Sequence, residues 1–138
     1  MRDLEAAKLR LKRGNLTLVI VKDGEVIFET SLHSIKGFLE AIEKLGEKIA
    51  GSFVADRIVG RAAAMLCAYS KVAYVFAVTM SEEGREVLKH HNIPYQYENL
   101  VPNILNYKAE DLCPLEKLTL NITNPEEAYE KLKLFLGT

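Results

Sequence analysis

The chain reads as an α/β fold with three layers, α-β-α, around a mixed sheet. Three observations predict this. Asp23-Gly24 stands between two apolar runs, residues 16–21 and 26–30, and that arrangement marks a β-hairpin. After the hairpin, helical and extended patterns alternate, which adds further strands and packs helices across the sheet. Residues 72–78 are apolar almost without a break, as a strand covered on both faces is.

Residues 3–13 read as an amphipathic helix, with Leu4, Ala7 and Leu11 along one side and Gly14-Asn15 as its stop. Residues 16–21 are a strand by their β-branched content, and residues 26–30 return from the Asp-Gly turn. Residues 34–45 carry Ile35, Phe38, Leu39, Ile42 and Leu45 at helical spacing. Gly51-Ser52 then suggests a stop followed by a cap. Val54, Ile58, Ala62, Met65, Leu66 and Tyr69 continue at helical intervals, so residues 51–70 read as one long central helix. Residues 81–91 open with acids and close with bases, matched to a helix dipole. Residues 92–98 suggest a loop and a short strand, and residues 100–111 a loop. Pro114 and Asn124-Pro125 each start a helix, with proline at the first helical position.

The totals bound the function. A chain of 138 residues, 49% apolar, suits one domain over residues 1–138. Eighteen basic residues nearly balance 19 acidic ones, so nothing points to a nucleic-acid partner. The cluster Lys8, Arg10, Lys12 and Arg13 reads as the wet face of the first helix. No apolar run reaches the length of a membrane span, and the first residues form an acid-bearing helix where a leader would be greasy. Two cysteines, Cys67 and Cys113, make no disulfide framework. A cytoplasmic protein with no membrane partner is expected. Charged residues at 27%, many of them Glu and Lys, are a usage seen in thermophiles.

On these residues the chain resembles the cytidine-deaminase-like fold. There a hairpin leads to a helix opening with His-Ala-Glu, then a strand, then a helix opening with Pro-Cys-x-x-Cys. Val54-Ala55-Asp56 is similar to the first motif's position, and the stretch from Thr79 to Gly84 falls at the second. The motifs Leu16-Thr-Leu-Val, Val54-Ala-Asp, Gly60-Arg-Ala-Ala and Leu112-Cys-Pro-Leu-Glu-Lys117 also resemble a small uncharacterised bacterial and archaeal family grouped with that fold. The resemblance implies the deaminase frame without its zinc. Val54 cannot ligate, Asp56 is a methylene shorter than Glu, and no cysteine lies between Ser70 and Asp111. No metal and no cofactor are expected.

Several residues remain as candidates. Asp56 is either a first-turn acid serving helix N–H groups or, by the resemblance, an acceptor on a pocket floor. Arg57 and Arg61 either pair with Asp56 or Glu116, or clamp an anion. Ser52 and Ser81 read as caps whose helix starts face one pocket in this fold. Cys113 precedes Pro114 at a helix start, which favours a thiolate, while Glu116 opposes it. Three functions follow. A binding module would hold a nucleotide- or nucleoside-like ligand with Ser52, Asp56, Arg57, Arg61 and Ser81. An enzyme would use Cys113 as nucleophile or redox thiol, with Asp56 or Glu116 as proton acceptor. An assembly protein would act as a homodimer.

Overall fold

The computed structural model describes residues 2–106 and 108–137, and of Ser34 the backbone alone. Helix α1 is Arg2–Arg13, strands β1 and β2 are Leu18–Lys22 and Glu25–Thr30, and α2 is Ser34–Leu45. A short turn of 3₁₀ helix, Gly46–Ile49, leads to β3, Phe53–Val59, and α3, Arg61–Ser70. Then come β4 (Tyr74–Ser81), α4 (Glu82–His90), β5 (Tyr95–Val101), α5 (Pro114–Thr119) and α6 (Pro125–Phe135).

The five strands form one mixed sheet in the order β2-β1-β3-β4-β5. β1 runs antiparallel to both β2 and β3, while β3, β4 and β5 are parallel. The hairpin turn takes positive φ at Asp23 (52°) and Gly24 (81°), the pair of left-handed residues that matches strand twist. Leu4, Ala7 and Leu11 of α1 pack on one face with Val19, Val21, Ala55 and Phe76. The other face is buried under α2, α3, α4 and α6, through Phe38, Met65, Leu88 and Leu132. Basic residues of α1 fasten it at the sheet's margins. Arg10 makes a two-toothed pair with Glu29 of β2, and Lys12 pairs with Glu98 of β5.

The long central helix expected over residues 51–70 is two elements. Phe53–Val59 pairs with β1 and β4 as a strand, and the helix starts only at Arg61. Phe53, Val54, Ile58 and Val59 are β-formers, and Gly60 separates them from the alanines. Val54 and Ile58 match a helical interval only because four residues also divide evenly into the strand period. Ser52 therefore caps no helix. It is the buried residue entering β3, with its carbonyl accepting from Ala73 N–H at 2.7 Å. Val54-Ala55-Asp56 lies inside a strand; the helix that follows the hairpin is α2, opening after His33, and the next, after β3, is α3, opening after Gly60, so neither Val54-Ala55-Asp56 nor the stretch from Thr79 to Gly84 stands at a motif position. β4 also sits later than residues 72–78, because Lys71 closes α3 in the left-handed conformation (φ 57°).

Candidate functional site

The C-terminal ends of parallel strands, where helices begin, are where open α/β sheets place ligands. Here those ends are Val59 and Ser81, followed by α3 and α4. Ser81 Oγ accepts from Gly84 N–H at 2.9 Å, so this serine does cap its helix. A Cβ on Gly84 would lie 2.8 Å from the Val59 carbonyl oxygen. Only a glycine lets α4 start this close to the end of β3.

The start of α3 is capped from a distance. The Glu116 carboxylate, on α5, accepts from Arg61 N–H at 2.7 Å and from Ala62 N–H at 2.9 Å. It thereby satisfies two of the donors that a helix start leaves unpaired. Gly60 makes room for it: a Cβ there would stand 2.2 Å from Glu116 Oε1. Burial pushes the Glu116 carboxyl above its ordinary range, against the pull of the Ala62 and Arg61 amides and the Arg61 charge. Arg61 braces α5 in turn. Its Nε donates to the Thr119 carbonyl at 2.7 Å and its Nη2 to the Ile122 carbonyl, at and beyond the end of α5. Its Nη1 lies 3.6 Å from Glu83. This crossed latch leaves a space of about 10 Å³ among Arg61, Ser81, Glu83, Asn103, Leu112 and Glu116, room for about one water.

A much larger groove, about 660 Å³, opens beside the latch. Its walls include Ile58 at the end of β3, Ala63 of α3, Ile104 of the 102–113 loop, Leu115 of α5 and Leu136 after α6. His33 and Lys36, at the start of α2, and Cys113, Gly60 and Glu116 also line it. The loop is shaped for this by a bridge between Leu105 and Leu112 and by Cys113 N–H donating to the Ile104 carbonyl at 2.9 Å.

The structure brings together Arg61, Ser81 and Glu116 at the latch, and Glu116 and Cys113 at the groove. It keeps the other candidates away. Ser52 lies at the opposite end of β3, roughly 20 Å along the strand by its rise per residue. Arg57 pairs with neither Asp56 nor Glu116. Its Nε donates to the Leu16 carbonyl at 2.8 Å and its Nη2 to the Leu11 carbonyl at 2.9 Å, closing the end of α1. Asp56 is buried inside β3, where Oδ1 accepts from Ile58 N–H at 3.3 Å and Oδ2 has no partner among the described residues. Burial raises its carboxyl to about 7, opposed by the Ile58 and Arg57 amides. Cys67 shares that environment, and burial, with the Asp56 charge behind it, pushes its thiol well up. Sequence reasoning misses Lys36, Ile58, Ile104 and Leu136 as groove residues. No local signal marks them, because the groove joins segments from residue 33 to residue 136.

The zinc chemistry of the deaminase frame does not fit these residues. α2 opens after His33 and α3 with Arg61-Ala62-Ala63 after Gly60, and at these two starts His33 is the one side chain of a kind zinc takes, short of the set it needs. Among the described residues no three His, Cys, Asp or Glu side chains come together as a metal site. The Glu116 carboxylate is spent on two helix N–H groups.

Comparison with known proteins agrees with this geometry. The family described as domain of unknown function DUF1893 matches residues 6–136. The crystal structure of a DUF1893 family protein from Thermotoga maritima is 25% identical, with a TM-score of 0.85 over 99% of this chain and 90% of that one. Acinetobacter baumannii RibD is similar at a TM-score of 0.51 and 20% identity, over 69% of this chain and 34% of its own. The dCMP deaminase of cyanophage S-TIM5 is similar at 0.50 and 19% identity, over 69% and 93%. These last two share the fold, which is cytidine-deaminase-like. Among curated proteins, none matches this chain in sequence.

Proposed function

We propose, from the premise that this chain belongs to the DUF1893 family, that it is a small-molecule-binding protein built on a deaminase frame. The groove beside the latch, lined by the starts of α2 and α3, is the site. The observation that carries this reading is the contrast in size between two neighbouring spaces. Glu116 and Arg61 leave about 10 Å³ at the helix starts, while about 660 Å³ stands open a few residues away. The open volume is in the range of sites that hold nucleotide- or nucleoside-sized molecules. Its walls are mostly aliphatic, which suits a planar or apolar body.

Native mass spectrometry of the protein as purified tests this. The expected result is a non-covalent mass lost on denaturation and absent from Ile58→Trp, a variant at an exposed wall position. No adduct, together with no thermal shift from a panel of nucleosides and nucleotides, would overturn it.

Exposed apolar side chains favour a second reading, assembly. Leu134 is 83% and Phe135 56% exposed at the end of α6, next to the groove residue Leu136. A homodimer closing over this face would be seen by light scattering at micromolar concentration, and a monomer there would sink it.

A further inference from the structure

We propose that the groove selects an anionic ligand: an apolar body lies along the aliphatic walls, and a single carboxylate or phosphate meets Lys36 and His33. This rests on the groove being the binding site.

The charges of the groove are arranged unequally. The Glu116 carboxylate has both oxygens engaged by Arg61 and Ala62 N–H, so it is already held by hydrogen bonds within the fold. Lys36 and His33, at the start of α2, also line the groove. Lys36 has no carboxylate partner among the described residues, and neither have Lys22, Lys48 and Lys71, but of these four Lys36 alone lines the groove. α2 also has no acidic residue in its first turn and no side-chain cap at His33. By contrast, α4 and α6 each carry two first-turn acids and a capping side chain. The start of α2 is thus a place where a negative charge meets donors. The rest of the lining carries no charge: it is mostly aliphatic, with Asn106 and Cys113 as its polar side chains. No second lysine or arginine lines the groove, so a second negative charge on the ligand would find no counter-charge there. One charge and one apolar body is the pattern that complements these walls.

The test measures binding of matched probes by calorimetry: naphthoate, naphthylmethyl phosphate, naphthalenemethanol and naphthylmethylammonium. The two anions are expected to bind at least about tenfold more tightly than the alcohol, the scale of one charge-assisted hydrogen bond, and the ammonium more weakly still. Lys36→Ala is expected to remove that advantage, bringing the anions down to the affinity of the alcohol measured on the same variant. Whichever of the carboxylate and the phosphate binds better identifies the head group. Equal affinity for alcohol and anion, or an anion advantage that survives Lys36→Ala, would overturn this proposal while leaving groove binding intact. Binding of all four probes that is unaltered by Ile58→Trp, or no binding of any, would overturn the groove itself and this proposal with it. Lys36 and Ile58 are both exposed, and a circular dichroism melt of each variant checks that the fold is retained.

Discussion

Asp56 holds an ionisable group where the fold supplies the Ile58 and Arg57 amides and almost no water-facing surface. Its folded carboxyl titrates near 7, against an ordinary value of 3.8. The native state therefore keeps a proton that the unfolded chain gives up. Stability from this group is full below about pH 4, falls as pH rises from there to about 7, and is level above. The distance between those two values corresponds to a penalty of about 4 kcal/mol above pH 7, an upper bound for a site that can relax. Asp56→Asn removes the ionisation. The variant is expected to exceed the wild type in unfolding free energy at pH 8 by about 1–3 kcal/mol and to match it near pH 4. Urea titrations at both pH values measure this, and parallel pH profiles for the two proteins would contradict it. The cysteines make a second contrast. Cys113 is half-buried on the groove wall and Cys67 has no exposure. Iodoacetamide is expected to label Cys113 in the native protein and Cys67 only after denaturation, as peptide mass mapping would show. Neither environment is written in the residues alone. Asp56 resembles a helix-start acid only while the run around it reads as a helix.

The latch between α3 and α5 is the element-scale device. Glu116→Ala leaves Arg61 and Ala62 N–H without their acceptor in a buried place, a loss of about 1–3 kcal/mol. Glu116→Gln keeps one acceptor oxygen and is expected to lose less. Arg61→Ala strips the Thr119 and Ile122 carbonyls of their donor. Because each residue holds the segment that the other needs, the double variant is expected to lose less than the sum of the two, a coupling that denaturant midpoints resolve. Gly84→Ala gives a different signal. Alanine gains about 1 kcal/mol over glycine inside a helix, yet here its methyl meets the Val59 carbonyl and Gly60 backbone at 2.8–2.9 Å. Net destabilisation is expected, and a raised melting temperature would refute the close approach. Elements with strong local chemistry are legible in the residues: the Asp23-Gly24 hairpin, the amphipathic α2, and α6 behind Asn124, whose side chain accepts from Glu126 and Glu127 N–H. The boundary at Gly60 is not. A strand and a helix that meet end to end, both apolar, can mimic one continuous period.

At the scale of the molecule, the residues announce an antiparallel start followed by alternating helices and strands, and the sheet is built that way. They carry no trace of the groove. Lys36, Ile58, Ile104 and Leu136 become neighbours only when α2, β3, the 102–113 loop and the end of α6 are all in place. Such a site depends on the whole fold rather than on a motif. The frame shared with deaminases also makes a prediction about metal. With the helix starts satisfied by Glu116 and Ser81, overnight dialysis against a chelator is expected to leave the melting temperature unchanged. A fall of several degrees would show a metal contributing to the fold. Among the described residues no helix is long and apolar enough to cross a membrane.

The crossed latch also constrains how such a chain can change over generations. Gly60 and Arg61 are separated from Glu116 by more than fifty positions, yet each is tolerable only in the company of the others. An ancestor acquiring a side chain at 60 would displace the carboxylate, and one losing the carboxylate would gain nothing from the glycine. Replacement of the trio must therefore pass through less stable intermediates or begin with the most permissive step, which is Glu116→Gln. A lineage gaining ligands at the start of α3 would have to dismantle α5's hold first, so a metal site there is opposed by stability before it is opposed by chemistry.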